Sequence, residues 1–146
     1  MTVEQQLCTF SVDGLFFGVE VLKVQEVIRY QEMTPVPLAP AVVHGLINLR
    51  GQIVTAIDLR RALELKARPT GHLPMNVVVR TDDGVVSLLV DEIGDVLNVD
   101  QSLFERPPET LGGVARELIQ GVYKLKDRLL LVMDTDRAVN LSGMAA

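Results

Sequence analysis

Apolar and polar residues alternate near the N-terminus. Cys8, Phe10 and Val12 are interleaved with Thr9 and Ser11, a period of two that predicts a half-buried strand. Asp13-Gly14 follows, then an apolar run over 15–19. Two residues of that type between apolar runs predict a tight hairpin, because both turn positions need positive φ. Over 20–29 the period changes. Val21, Val24 and Ile28 fall at helical spacing beside Leu22 and Val27, with Lys23, Gln25 and Glu26 turned away. That segment reads as a short amphipathic helix, or as a helical turn leading into a strand at 26–30. Pro35, Pro37 and Pro40 then exclude regular helix and predict an extended connection.

The alternation resumes in three further hairpins. Residues 43–48 and 53–57 flank a Leu49-Arg50-Gly51-Gln52 turn, and Asp58 is placed to cap a short helix over 59–65. After a loop at 69–74, strands at 75–80 and 85–90 flank an Asp83-Gly84 turn, and a further strand covers 93–99. Pro107, Pro108, Gly112 and Gly113 predict a long loop. Strands at 119–125 and 129–133 flank Lys126-Asp127-Arg128, and the tail after 140 is expected to fray.

The pattern repeats along the chain. With Val43 written over Ile119, an offset of 76, Gly45 falls on Gly121, Leu49 on Leu125, Asp58 on Asp134 and Arg61 on Arg137. Asp13-Gly14 matches Asp83-Gly84 at an offset of 70, and residues 24–28 resemble 93–97 at 69. The shared order is hairpin, short amphipathic piece, proline-bearing connection, hairpin and capping Asp. Strands this frequent, with only short helices between them, predict a mainly β fold of two small lobes rather than an α/β sheet. The expected lobes are roughly 13–74 and 75–141 of a single domain over 1–146. The N-terminal strand 5–12 is available to be shared with the second lobe.

Composition narrows the packing and the partners. Hydrophobic residues make up 48% of the chain but aromatics only 4%, with no Trp, so branched aliphatics must fill the core. Net charge is -5 with no basic stripe, which argues against nucleic acid as a partner. One cysteine cannot form a disulfide within the chain, and a reducing cytoplasm is the expected compartment. The N-terminus lacks a signal-peptide pattern, and no apolar stretch approaches the roughly 20 residues of a membrane span, so direct membrane insertion is not expected.

Candidate chemistry is sparse. His44 sits in an apolar strand and His72 in a Pro/Gly loop, neither with a partner at metal-ligand spacing. Cys8 reads as a buried, inert thiol. Asp91-Glu92 and Asp134-Thr-Asp136 read as caps and solvated acids rather than a calcium loop. With no nucleophile elbow or phosphate loop either, no enzyme activity, cofactor or metal is expected. Arg50, at a turn tip between Asn48 and Gly51, is the remaining feature, because arginine is favoured where proteins meet.

Gly45-Leu-Ile-Asn-Leu-Arg-Gly51, followed by Ile53-Val54 and Ile57-Asp58-Leu59, closely resembles the signature of the CheW family of chemotaxis coupling proteins. Pro35-Val-Pro37, Val90-Asp91, Val96-Leu97 and Gly121 stand where that family would place them, and the likeness runs from about Gln5 to Asn140. Thr55 and Ala56 depart from it, since the family commonly has a proline and a larger aliphatic there. The resemblance implies two SH3-like five-stranded β-barrel lobes on a shared hydrophobic core, with short helices. It also implies a cytoplasmic, non-enzymatic adaptor, recruited to membrane-associated arrays, that bridges a chemoreceptor's cytoplasmic tip and the CheW-like regulatory domain of the histidine kinase CheA. On that basis Val27, Ile28, Val36, Asn48, Arg50 and Gly51 are expected on the receptor side, and Gly45, Leu46 and Ile47 on the kinase side. The alternative is a stand-alone regulator or effector-binding module of a related pathway such as twitching motility.

Overall fold

In the computed structural model, which describes residues 3–82 and 84–141, the N-terminal alternation forms β1 (Glu4–Val12), antiparallel to β2 (Leu15–Glu20). Asp13 and Gly14 take φ of 49° and 80°, the positive values a two-residue hairpin turn needs. Phe10 and Val12 are fully buried, and so is Leu7 in a different core, so β1 is covered on both faces rather than one. Cys8 is only partly buried, because a bulge between it and Phe10 shifts the register against the neighbouring strand. That partial burial still pushes its thiol pKa up.

Of the two readings of 20–29, the turn-then-strand form is the one realised: a single 3₁₀ turn (Val21–Lys23) runs into β3 (Val24–Ile28). Next come β4 (Val43–Leu49) and β5 (Gln52–Asp58), then α1 (Leu59–Ala62). The Asp58 carboxylate accepts from the Arg60 N–H at 3.0 Å, as a helix cap should. The helix stops before 65. Glu64 turns left-handed, at φ 58°, and Leu65 N–H bonds Arg60 O at 2.7 Å, a Schellman closure.

β6 (Met75–Thr81) and β7 (Gly84–Val90) form the next hairpin. Asp83 lies outside the described residues; Thr81 pairs with Gly84, which puts Gly84 in β7 rather than in the turn expected at Asp83-Gly84. β8 (Glu92–Asp100) follows. α2 (Gly113–Leu118) was not expected, since its Gly/Pro-rich approach reads as loop. β9 (Ile119–Lys124), β10 (Leu129–Met133) and α3 (Thr135–Leu141) complete the chain, and the tail expected to fray lies almost wholly outside the described residues.

The strands make two five-stranded sheets, β8-β1-β2-β10-β9 and β3-β6-β7-β5-β4. The two repeats in the chain are therefore not the two lobes. Each repeat's first hairpin lies in the other repeat's sheet: β1-β2 joins β8, β9 and β10, while β6-β7 joins β3, β4 and β5. On one side the joins are parallel, β2 on β10 (Phe17↔Leu131) and β7 on β5 (Val86↔Thr55), and on the other antiparallel, β1 on β8 and β6 on β3. Pairs obey one arithmetic. Phe10↔Ile93 repeats as Val79↔Val24, Leu46↔Thr55 as Val122↔Leu131, and the bridge Thr34↔Leu46 as Glu105↔Val122. The hairpin offset is thus 69, not 70, while 76 holds for the second half.

The expected lobe boundary at 74/75 is corrected accordingly. One lobe holds the strands from residue 24 to 90; the other holds those of 4–20 and 92–133. The N-terminal strand belongs to the second lobe, and β2 goes with it. The Thr34 and Glu105 bridges tie the segment after β3 to β4 and the segment after β8 to β9, curling each sheet toward closure as an SH3-like barrel. They also explain the paired glycines. A Cβ on Gly45 would sit 2.8 Å from Thr34 O, and one on Gly121 would sit 2.5 Å from Glu105 O.

Three cores result. The largest is shared, with Phe10, Val12 and Phe17 from one sheet meeting Ile57, Val79 and Leu88 from the other. Each lobe keeps a small core of its own, around Leu7, Phe16 and Leu130 or around Ile47, Val54 and Leu89. Ala56 is fully buried in the latter, so the departure there thins that core rather than exposing it. Leu88→Ala in the shared seam should destabilise the protein by about 2–5 kcal/mol. Ile53→Ala on the surface should change stability by roughly 0.5 kcal/mol or less. Urea unfolding of both variants checks the contrast.

Candidate functional site

Period-two alternation sorts the residues of the β4–β5 hairpin. Gly45, Ile47 and Leu49 point inward, while Asn48 and Arg50 are exposed and Leu46 is half-buried. At the tip, Arg50 and Gly51 take φ of 50° and 90°, and the Asn48 carboxamide oxygen accepts from the Gly51 N–H at 2.9 Å. Left-handed backbone suits Gly51 but costs about 1–2 kcal/mol at a residue such as Arg50. The Arg50 side chain is 75% exposed, and its guanidinium pairs with the Glu26 carboxylate on β3. An exposed pair of this kind contributes at most about 1 kcal/mol, so it does not by itself account for a strained arginine.

The Glu26–Arg50 pair brings β3 against the hairpin tip, and with it Val27, which is 40% exposed, and half-buried Ile28. The Thr34 bridge to Leu46 brings in the proline-rich segment that carries Val36, 36% exposed. The residues expected on the receptor side therefore all lie in one lobe, on three segments tied together by these two contacts. The residues expected on the kinase side fare differently. Gly45 and Ile47 are buried, Ile47 at 1% exposure in the lobe's own core, and only Leu46 offers surface. Gly45 and Ile47, expected as contact residues, are thus buried by the strand's alternation and present no side-chain surface. Alternation alone carried that signal, because both residues share the parity of buried Leu49.

A second polar constellation sits where the chain passes from one lobe to the other. Asp91, between β7 and β8, accepts from Arg60 Nε at 3.0 Å and Nη2 at 2.6 Å, a bidentate pair. It also accepts from Arg68 Nε at 2.9 Å and from the Asp13 N–H at 2.7 Å. Arg68 Nη2 lies 3.5 Å from Asp58. All four of these side chains, Asp58, Arg60, Arg68 and Asp91, are about nine-tenths buried. Burial alone would raise the Asp91 pKa, but the Arg60 hydrogen bonds, the Asp13 N–H and Arg68 together hold it at about 2. Asp91 is therefore not the solvated acid expected from sequence. The missed signal was a carboxylate set directly after the largely apolar run 85–90, since a charge so close to a core needs a partner.

Among the described residues no group of His, Cys, Asp and Glu could hold a metal ion. No helix among them is long and apolar enough to cross a membrane. The two histidines, isolated in sequence, line one cavity in the first lobe.

Comparison with known proteins places this geometry. The profile of the CheW-like domain matches residues 6–142. The chain is 30% identical to the chemotaxis protein CheW of Treponema pallidum, over 88% of this chain and 78% of that one. It is 30% identical to the chemotaxis protein CheW of Klebsiella aerogenes, over 99% and 87%. The crystal structure of the scaffolding protein TtCheW from Thermoanaerobacter tengcongensis superposes with a TM-score of 0.84 at 24% identity, covering 93% of this chain and 92% of that one, which establishes the shared fold.

The Asp91 cluster makes two predictions. Because the folded-state pKa of about 2 lies below the ordinary 3.8, the stabilisation is fully present above about pH 4–5 and is lost as pH falls toward 2. It amounts to about 2 kcal/mol. Asp91→Asn, which leaves two buried guanidiniums short of a counter-charge, should cost about 3–5 kcal/mol at pH 7. It should also flatten the acid limb of stability against pH. Denaturant unfolding from pH 7 to pH 2 reads both.

Proposed function

The chain belongs to the CheW family of chemotaxis proteins, and from that premise we propose that it is a non-enzymatic adaptor coupling chemoreceptors to the histidine kinase CheA. The observation that carries the docking side of this reading is Arg50: exposed, held in left-handed backbone at a hairpin tip, and tied through Glu26 to the strand that carries partly exposed Val27. Strain retained at a surface turn suits a residue kept for what it binds. The receptor side is Val27, Ile28, Val36, Asn48, Arg50 and Gly51. Its aliphatics supply apolar contact, and the Arg50 fork meets a carboxylate or backbone carbonyls once Glu26 shares or releases it.

The kinase side is weaker in surface terms. Leu46 offers contact, while Gly45 and Ile47 fix the strand that presents it. A scaffold with two such faces changes kinase output only where its contacts differ between the receptor's signalling states, so rigid presentation of both faces is the requirement. The protein works in the cytoplasm, recruited to membrane-associated receptor arrays. A second reading, an effector-binding module, is favoured by the cavity described below and is compatible with the first.

The backbone strain separates binding from folding. Arg50→Asn puts a residue suited to left-handed φ at the tip and should leave stability unchanged or raise it by up to about 1 kcal/mol. The same substitution should weaken capture of a chemoreceptor-tip fragment at least about tenfold, which corresponds to 1.4 kcal/mol. Capture of the CheA regulatory domain should change little. A pull-down with both fragments and a thermal melt give all three readings. Failure of the unmodified protein to bind either fragment would sink the adaptor reading.

A further inference from the structure

The first lobe holds a cavity of about 400 Å³ whose lining does not include the Arg50 tip, within the usual size of small-molecule sites. Its lining includes Tyr30, His44, Arg61, Arg68, His72 and Leu73. Two polar atoms of that lining, His44 Nδ1 and Arg68 Nη2, are buried without a hydrogen-bond partner. The Arg68 side chain is only 9% exposed. Its Nε is satisfied by Asp91 at 2.9 Å, but Nη2 lies 3.5 Å from Asp58 with no aligned bond. A buried guanidinium nitrogen without an acceptor is costly and uncommon in native proteins.

Charge points the same way. Arg60, Arg61 and Arg68 line the cavity with Asp58 as the single carboxylate, while Asp91 neutralises Arg60 and Arg68 from behind. Asp13 also lies 3.8 Å from Arg60, so three carboxylates balance the three guanidiniums, but only Asp58 among the three carboxylates lines the cavity itself. Arg61 is half exposed at the rim and shares Asp58, 3.6 Å away.

We propose that this cavity is a binding site for a small organic oxyanion, a carboxylate or phosphate head on a short apolar body, with Arg68 Nη2 and His44 Nδ1–H donating to the head. The body lies against Leu65, Leu73 and Pro69. Both donor atoms are shielded from bulk water, so the ligand reaches them as the surrounding wall adjusts. Burial and the charge of Arg61 lower the His44 pKa, Asp58 opposes them, and Arg68 lowers it further. His44 is thus a neutral imidazole able to carry its proton on Nδ1. An anion seated beside it offsets the charges of Arg61 and Arg68 and favours the protonated imidazole, which raises that pKa. The site shares no residue with the proposed receptor or kinase faces, so it stands or falls apart from the adaptor role.

The test follows the imidazole resonances of His44 and His72 by NMR while the full chain is titrated with inorganic phosphate and, separately, with benzoate, at constant ionic strength in sodium chloride. The expected result is a saturable His44 shift with at least one probe, half-complete at about 1 mM or below. The His44 pKa should rise in the bound form, and which probe binds more tightly identifies the head. Arg61→Gln, at the exposed rim, should weaken binding while leaving the thermal midpoint in place, and His44→Phe should abolish it. Three results would overturn the site: no saturable shift with either probe, the same shift from chloride alone, or undiminished binding in His44→Phe.

Discussion

Everything in this molecule depends on four strand pairs, parallel β2 on β10 and β7 on β5 and antiparallel β1 on β8 and β6 on β3. They seat the first hairpin of each sequence repeat in the sheet built from the other repeat. Neither sheet can be assembled from one half of the chain, so the lobes are interlocked rather than merely adjacent. The shared core follows from this exchange, because β1, β2, β6 and β7 carry Phe10, Phe17, Val79 and Leu88 into the seam between the sheets. A small barrel alone is near the lower limit for a stable core, and the common seam supplies what each lobe lacks.

The exchange also explains the ion cluster. The chain crosses from one lobe to the other at Asp91, and the β1–β2 turn of the second lobe comes alongside at Asp13. Arg60 and Arg68 approach from the first lobe and clasp that crossing. Apolar packing is indifferent to small slides of one surface over another; a bidentate guanidinium–carboxylate pair is not. The cluster therefore fixes how the lobes sit relative to one another. Arg60 and Arg68 also line the histidine-lined cavity, so a ligand there would act on the clasp itself.

Local chemistry was legible in the sequence. Asp13-Gly14 and Arg50-Gly51 marked their turns because positive φ is a demand on those residues alone. Asp58 marked its helix because a cap is a bond over two residues. The repeat was legible as spacing, and Arg50 stood out as an arginine at a turn tip. The exchange was not legible, since the same offsets arise whether a hairpin pairs within its own repeat or with the other. The Asp91 cluster was hidden because its partners lie 23 to 78 residues away along the chain. α2 was masked by the glycines and prolines that precede it. The burial of Gly45 and Ile47 could have been read from alternation, which the family likeness outweighed.

The central claim is that the two lobes form one folding unit because they have exchanged hairpins. The protein has no Trp and two tyrosines. Tyr30 lies in the first lobe, just after β3, and Tyr123 lies in the second, on β9. Fluorescence-monitored urea unfolding of Tyr30→Phe and of Tyr123→Phe therefore reports each lobe separately. Once each midpoint is corrected against the variant's own circular dichroism transition, the interlocked fold predicts coincident curves with a single cooperative transition in both. If one tyrosine lost its native signal at a lower urea concentration, while the other lobe stayed folded, the claim would be contradicted.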